Sequence, residues 1–372
     1  MPARPLTVVQ LLPALNAGGV ERSTLEIGAA LAAAGHRSIA ICAGGRLVDK
    51  FVAQGSEHIA VDIGRKSLAT LRHLWTLRRL FAEIKPDIVH ARSRLPAWVG
   101  WRALGGLRGA RPHFVTTVHG LNSPGRYSAI LTRGERVICV SKTLRDYVLQ
   151  HYPRLDPARI AVIPRGIDPD EFPRGYRASA TWRARFLDEF PQLAGGRLLT
   201  LPGRGTRLKG HRDAVELLAN LHARGIDARL LLLGAREAGR EAYIEEVETL
   251  ARERGVLERL AITPPRSDVR EVYAISDLIL QCSTQPESFG RTVVEALSLG
   301  RPVLGYAHGG VGELLAELYP RGGVALGDAA ALLERAVELL QAPPPVAPLE
   351  KYRLADMQAS TLRLYADVAA RG

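Results

Sequence analysis

Short apolar runs alternate with longer amphipathic stretches along nearly the whole chain. In the first half the runs fall at 6–12, 38–43, 58–63, 87–91, 113–118, 136–141 and 159–163. Between them, 21–34, 68–84 and 142–150 space their apolar residues as a helix does. The second half repeats the scheme, with runs at 197–202, 228–234, 259–263, 278–283 and 302–306. Its helical patterns lie at 211–224, 241–254, 269–276, 291–299 and 328–341. Continuous apolar strands separated by helices mean parallel strands covered on both faces. The pattern therefore predicts an α/β chain of two doubly wound parallel-sheet domains facing across a cleft. Ligands are expected at the carboxyl ends of the strands. A segment rich in Pro, Gly and charge (164–177) reads as a linker, and a proline-rich break at 342–348 precedes a last helical stretch, 349–369. The expected divisions are 1–170, 171–348 and 349–372.

Composition adds detail to this picture. At 372 residues, 47% of them hydrophobic, the chain is long enough for two cores, and its 24% charged content excludes disorder as the main state. Lys plus Arg is 50 and Asp plus Glu is 38, a net charge of +12. Residues 1–172 hold 24 basic and 13 acidic side chains, and the remainder 26 and 25. Such asymmetry points to an anionic partner for the first half. Cys42, Cys139 and Cys282 are widely separated in apolar runs, which reads as buried free thiols rather than a disulfide or zinc framework. No signal peptide or membrane-spanning run is evident, so the expected location is cytoplasmic, at most on a membrane face.

The densest chemistry lies in PESFGRTVVEALSLGRPVL, 286–304. Ser288, Phe289 and Gly290 join a strand to a helix, so their backbone N–H groups can hold an anion at the helix start. Glu287 stands in the loop and Glu295 two turns into the helix, where each could accept from sugar or ribose hydroxyls. A solvated surface role is the ordinary alternative for either glutamate. PGRGTRLKGH (202–211) places Arg204 and Lys209 on a glycine-rich loop after a strand, a suitable cradle for a diphosphate. The spacing is not that of a P-loop. HGGVGE (308–313) is another glycine loop before a helix.

In the first half, Gly18 and Gly19 place bare backbone at a helix start, and a phosphate could approach there. They lack the full dinucleotide-binding spacing. His119 ends a strand, where it could donate to a hydroxyl or simply cap its own loop. Residues 65–111 carry 11 basic and two acidic side chains. Within them, 71–84 is amphipathic, with Leu74, Trp75, Leu77, Leu80 and Phe81 among arginines, and 96–111 adds two tryptophans and three arginines. A basic helix with Trp and Phe suits an anionic membrane surface, although a Leu/Trp stripe also suits a core.

Taken in order, GGVER, TTVHG, GRGTRLKGH and PESFGRTVVEALSLGRPV resemble the family-4 retaining glycosyltransferases of GT-B fold. VHARSRLPAW, VHGLNSPGRYSAI, GERVICVSKTLRDYV and IPRGIDPDEF are similar to the bacterial lipopolysaccharide core enzymes among them. The resemblance implies two Rossmann-like domains, the second holding a UDP-, GDP- or ADP-linked sugar. Glu287 would engage the donor sugar and Glu295 the ribose. Arg204 and Lys209 would neutralise the diphosphate, and Gly18 or Gly19 would meet it from the other domain. His119 would contact the sugar at the reacting face, with Glu287 and His119 carrying the catalytic roles. The 264–266 loop would lie near the base, and the last helix would cross back onto the first domain. Arg165 stands where many relatives have Asn, and no role follows from that. The acceptor would be a lipid-linked or core oligosaccharide at the inner face of the cytoplasmic membrane.

Metal-independent transfer is expected, the leaving phosphate being stabilised by Arg204, Lys209 and helix-start N–H groups. The resemblance implies same-face attack with retention. A sugar-nucleotide epimerase of GT-B fold and, outside enzymes, an anionic-surface or nucleic-acid-binding protein remain open. A nucleic-acid role is disfavoured because no stacking platform or known module is found.

Overall fold

The computed structural model describes residues 4–16, 18–67, 70, 72–107, 109 and 111–371. It divides into two compact units: residues 1–165 with 354–372, and residues 166–353. Residues 166–170 thus fall with the second unit, and so do 349–353.

The first unit is built on β1 (Thr7–Leu11), β2 (Arg37–Cys42), β3 (Glu57–Ala60), β4 (Ile88–Ala91), β5 (His113–Val118), β6 (Arg136–Cys139) and β7 (Ile160–Val162). They form one parallel sheet in the order β3-β2-β1-β4-β5-β6-β7. The second unit carries β8 (Arg197–Pro202), β9 (Ala228–Leu233), β10 (Leu260–Ile262), β11 (Leu278–Gln281), β12 (Val303–Tyr306) and β13 (Gly323–Val324), in the order β10-β9-β8-β11-β12-β13. β1 has β2 on one side and β4 on the other, and β8 likewise lies between β9 and β11. The connections reverse direction at these two places. Loops leaving β1 and β4, or β8 and β11, diverge to opposite faces and leave a crevice at the carboxyl edge.

The central strands are buried beyond their first residues, and each run read from the sequence is a strand. β13 was not among those runs, because two residues carry no readable pattern. It is secured by pairing with Gly305 and Tyr306 of β12. The three cysteines are buried and free. Burial pushes the Cys139 thiol up to about 12 and that of Cys282 higher still. Among the described residues, no helix is long and apolar enough to cross a membrane.

The helix Leu354–Ala369 lies on the first sheet. Its buried Met357, Leu364, Tyr365 and Val368 share a core with Leu6, Val8, Ile88, Val115 and Ile138. Tyr365 also enters a buried polar chain: its hydroxyl is 2.5 Å from His90 Nδ1, and His90 Nε2 is 2.7 Å from Thr117 Oγ1. Burial, with Arg92 and Arg165 nearby, holds His90 well below the usual histidine range. Tyr365→Phe leaves His90 without this partner in the interior. The expected cost is about 1–3 kcal/mol, read as a lower urea midpoint at unchanged slope.

Candidate donor site and basic faces

In the second unit the loops following β8 and β11 are knitted together. Gly210 has φ +71°, and a Cβ there would lie 1.9 Å from the Cys282 carbonyl oxygen, so only glycine brings the two loops this close. Thr284 N–H donates to the Leu208 carbonyl at 2.8 Å. Above this seam Lys209 Nζ donates to Glu287 Oε1 at 2.6 Å, both side chains being half-buried. Ser283 Oγ donates to the same carboxylate oxygen. His308 Nε2 lies 2.6 Å from the Ser283 carbonyl. The backbone of Gly203 runs alongside the aliphatic stem of Lys209.

The expected residues around this pair occupy distinct places. Arg204 is exposed at the rim of the β8 loop, and Ser288 is half-buried in the β11 loop. Gly290, at φ +108°, is the N-cap of the helix Arg291–Ser298. Glu295 is in that helix and only 6% exposed, so a solvated surface role is excluded for it. Phe289 is 5% exposed, and its ring meets that of Tyr352 at a centroid distance of 5.7 Å. Any ligand contact by Phe289 therefore falls to its backbone.

Two further loops singled out in the sequence carry packing duties. The glycines of HGGVGE let its backbone lie against the Glu287 loop. Gly310 N–H donates to the Glu287 carbonyl at 2.7 Å, and a Cβ on Gly310 would lie 2.6 Å from Phe289 Cα. The loop thereby sets the height of the Glu287 loop. In the 264–266 loop, Arg266 is tied to Asp268 and Glu189 and lies over Phe186 and Phe190. The Asp268 carboxylate raises its pKa, and the guanidinium serves the fold.

In the first unit, Gly18 (φ +132°) caps the helix Gly19–Ala33, which starts at the carboxyl edge beside β1. A Cβ on Gly18 would lie 2.7 Å from a carboxylate oxygen of Glu21, which already answers the helix dipole. Behind this turn lies Arg92, 2% exposed, which the sequence reading counted only as part of a charge run. It donates to Gln10 Oε1 at 2.7 Å and to Ser23 Oγ at 2.9 Å. Burial lowers its pKa. His119 follows β5, and its Nδ1 is 2.7 Å from a terminal nitrogen of Arg165.

The basic stretch 65–111 is not one face. Residues 68, 69, 71, 108 and 110 lie outside the described residues, and with them part of the helix expected at 68–84 and one of the three arginines in 96–111. Arg92 and Arg94 stand at the carboxyl edge, where Arg94 donates to Ser128 Oγ at 3.2 Å. Arg78, Lys85 and Arg111 instead line a groove of about 1070 Å³ with Arg4, Trp75 and His113. Lys85 lies just before β4, and Arg111 just before β5, so the groove opens at the amino edge, opposite the Gly18 turn. In the helix His73–Ile84, Leu77 and Phe81 are buried, whereas Trp75 is 70% exposed with the Arg78 guanidinium 4.7 Å from its ring centre. The apolar stripe is therefore split between the core and the surface.

Two Rossmann-like parallel sheets, each with a switch point at its carboxyl edge, give the chain a GT-B architecture. The chain belongs to the glycosyltransferases: residues 17–171 match Glycosyltransferase Family 4 and residues 188–353 match Glycosyl transferases group 1. A D-inositol 3-phosphate glycosyltransferase of Xylanimonas cellulosilytica is 30% identical over 248 residues, 60% of this chain and 56% of that one. The chain spans about half the length of the curated relatives it matches. A glycosyltransferase structure from Rickettsia africae superposes over the whole of both chains with TM-score 0.87 and 25% identity. Anabaena Alr3699/HepE in complex with UDP-glucose covers 97% of this chain and 100% of its own, with TM-score 0.79 and 18% identity.

The Gly310 contact yields a direct test. Gly310→Ala pushes the 287–290 loop off its support and is expected to cost about 1–3 kcal/mol of stability. Gly120→Ala, where a Cβ meets open space and φ is not positive, is the comparison and is expected to cost less than about 0.5 kcal/mol. Equal effects in chemical denaturation would show that the loop contact is unimportant.

Proposed function

We propose that the protein transfers a sugar from a nucleotide-sugar to an anionic acceptor, a lipid-linked or core oligosaccharide, with retention at the anomeric carbon. The observation that carries this reading is the Lys209–Glu287 pair at the β8/β11 switch point, braced by Ser283. A nucleoside diphosphate leaving group gathers negative charge as its bond to the sugar breaks. Lys209 supplies a point charge there, and Arg204 a mobile fork at the rim. The N–H groups around Ser288, Phe289 and Gly290 add a helix start, and Glu295 is the ribose ligand. Glu287 fixes the sugar through its hydroxyls. On the first unit, Gly18, Gly19 and His119 offer further N–H donors to the donor substrate. The C1–O bond to phosphate breaks while the acceptor oxygen bonds to C1 on the same face. The acceptor's proton passes to the departing phosphate oxygen, so the step calls for neither a metal nor a protein nucleophile.

The relatives that act as D-inositol 3-phosphate glycosyltransferases support an anionic acceptor. The lipopolysaccharide-core reading rests on the motifs of the first half. For the membrane, the groove at the amino edge is the favoured surface. It combines arginines with an exposed Trp75 and leaves the carboxyl edge open for substrate. The enzyme would then work on the inner face of the cytoplasmic membrane.

Thermal unfolding with UDP-, GDP- and ADP-sugars tests the donor. A ligand at about 100 times its Kd adds about 2.7 kcal/mol, so one series should raise the Tm clearly. No shift with any of them would remove the donor reading. With the best donor, Lys209→Ala and Glu287→Ala should each lower kcat/KM by about 100-fold or more. Full activity in both would displace the site.

Membrane docking is tested separately by flotation on vesicles. Vesicles containing phosphatidylglycerol should bind the wild type. Trp75→Ser with Arg78→Ser and Arg79→Ser should weaken binding by about tenfold or more, at about 1 kcal/mol per basic residue near the surface. Equal flotation with neutral vesicles would rule out the electrostatic surface.

A further inference from the structure

We infer that Arg165 sets the tautomer of His119, so that the ring proton is fixed on the buried Nε2 near the carboxyl edge of the first sheet. A guanidinium carries only donors and does not lose its proton in a protein. The Arg165 terminal nitrogen lies 2.7 Å from His119 Nδ1, so Nδ1 meets it with a lone pair. The ring proton then resides on Nε2. An amide side chain at position 165 could either donate or accept and would leave the tautomer undetermined.

The geometry that holds Arg165 is itself rigid. The residue is 7% exposed and stands three positions beyond β7. Its other terminal nitrogen is 3.9 Å from the sulfur of Met357, which is 3% exposed in the helix Leu354–Ala369. Arg165 is thus a positioning residue clamped between the end of one strand and the last helix, and it acts through His119. That Nε2–H then meets an oxygen of the nucleotide-sugar rests on the proposed function. The tautomer itself does not.

The test uses the full chain labelled with 15N-histidine. Long-range proton–nitrogen spectra separate protonated from unprotonated ring nitrogens, and His119→Asn identifies the signals. In the wild type, Nδ1 should resonate in the unprotonated range and Nε2 in the protonated range. Arg165→Met should draw both signals toward an averaged position, and Arg165→Lys, another donor-only side chain, should restore them. With the donor found by thermal unfolding, Arg165→Met should also lower kcat/KM about tenfold, with partial recovery in Arg165→Lys. A wild-type proton on Nδ1, or an unchanged spectrum in Arg165→Met, overturns the inference. Should Arg165→Met fail to fold, Arg165→Gln, which can donate to or accept from Nδ1, takes its place and should likewise lose the fixed pattern. If the wild-type tautomer is as stated and no nucleotide-sugar is turned over, the proposed function falls while the tautomer stands.

Discussion

The ion pair between Lys209 and Glu287 joins two loops 78 residues apart in sequence. It forms because β8 and β11 are neighbours, and their neighbourhood follows from the strand order of the second sheet. An exposed pair of this kind is worth little, about 0.2–1 kcal/mol. Here both side chains are half-buried, and Ser283 donates to the same oxygen, so loss of either partner strands a partly desolvated charge. The surrounding glycines serve this arrangement. Gly210 lets the β8 loop lie on the Cys282 carbonyl, and Gly310 lets the next loop lie against the Glu287 loop. Each removes a side chain where backbone meets backbone, and together they hold the carboxylate where a substrate could reach it.

The first unit handles charge in a different way. Its positive excess separates along the strand axis. Arg92 and Arg165 are buried toward the carboxyl edge, while Arg78, Lys85 and Arg111 surround the groove at the amino edge. Buried arginines have fixed geometry and polarise specific neighbours, such as Gln10, Ser23 and His119. Lys85 and Arg111 at the groove are exposed, and their pull falls off over a Debye length of about 8–10 Å. One count of charge therefore covers two physical roles, precise orientation at one edge and diffuse attraction at the other.

This division explains which parts of the molecule were legible in the sequence. Buried parallel strands leave unbroken apolar runs, so the order of strands and helices could be read directly. The placing of Glu287 and Lys209 in loops at strand ends could be read because such loops concentrate Gly with charged residues. Glycine itself was ambiguous. The same residue type that bares backbone for a phosphate also permits two loops to touch, as at Gly309 and Gly310, and only the fold separates these uses. Phe289 posed the related problem of a residue in a binding motif whose side chain belongs to the core. Arg92 was hidden for the opposite reason. Within a run of exposed cations nothing marks the one that will be enclosed, because its partners Gln10 and Ser23 lie 82 and 69 residues away.

The last helix ties these threads together. The chain leaves the first unit at Arg165 and returns to it at Leu354, and within the second unit Ile167 pairs with Arg353. Departure and return are therefore side by side. Met357, four residues past Arg353, meets the Arg165 side chain, and Tyr365, two turns further on, meets His90. The helix thus supports the carboxyl edge of the first sheet through polar contacts as well as through its apolar face. A shift of one helical turn would separate Met357 from Arg165 and Tyr365 from His90 together, since both ride on one rigid rod. Packing in the helix and orientation of His119 are in this sense a single constraint. The apolar face fixes the helix's position, and that position determines where Arg165 can point.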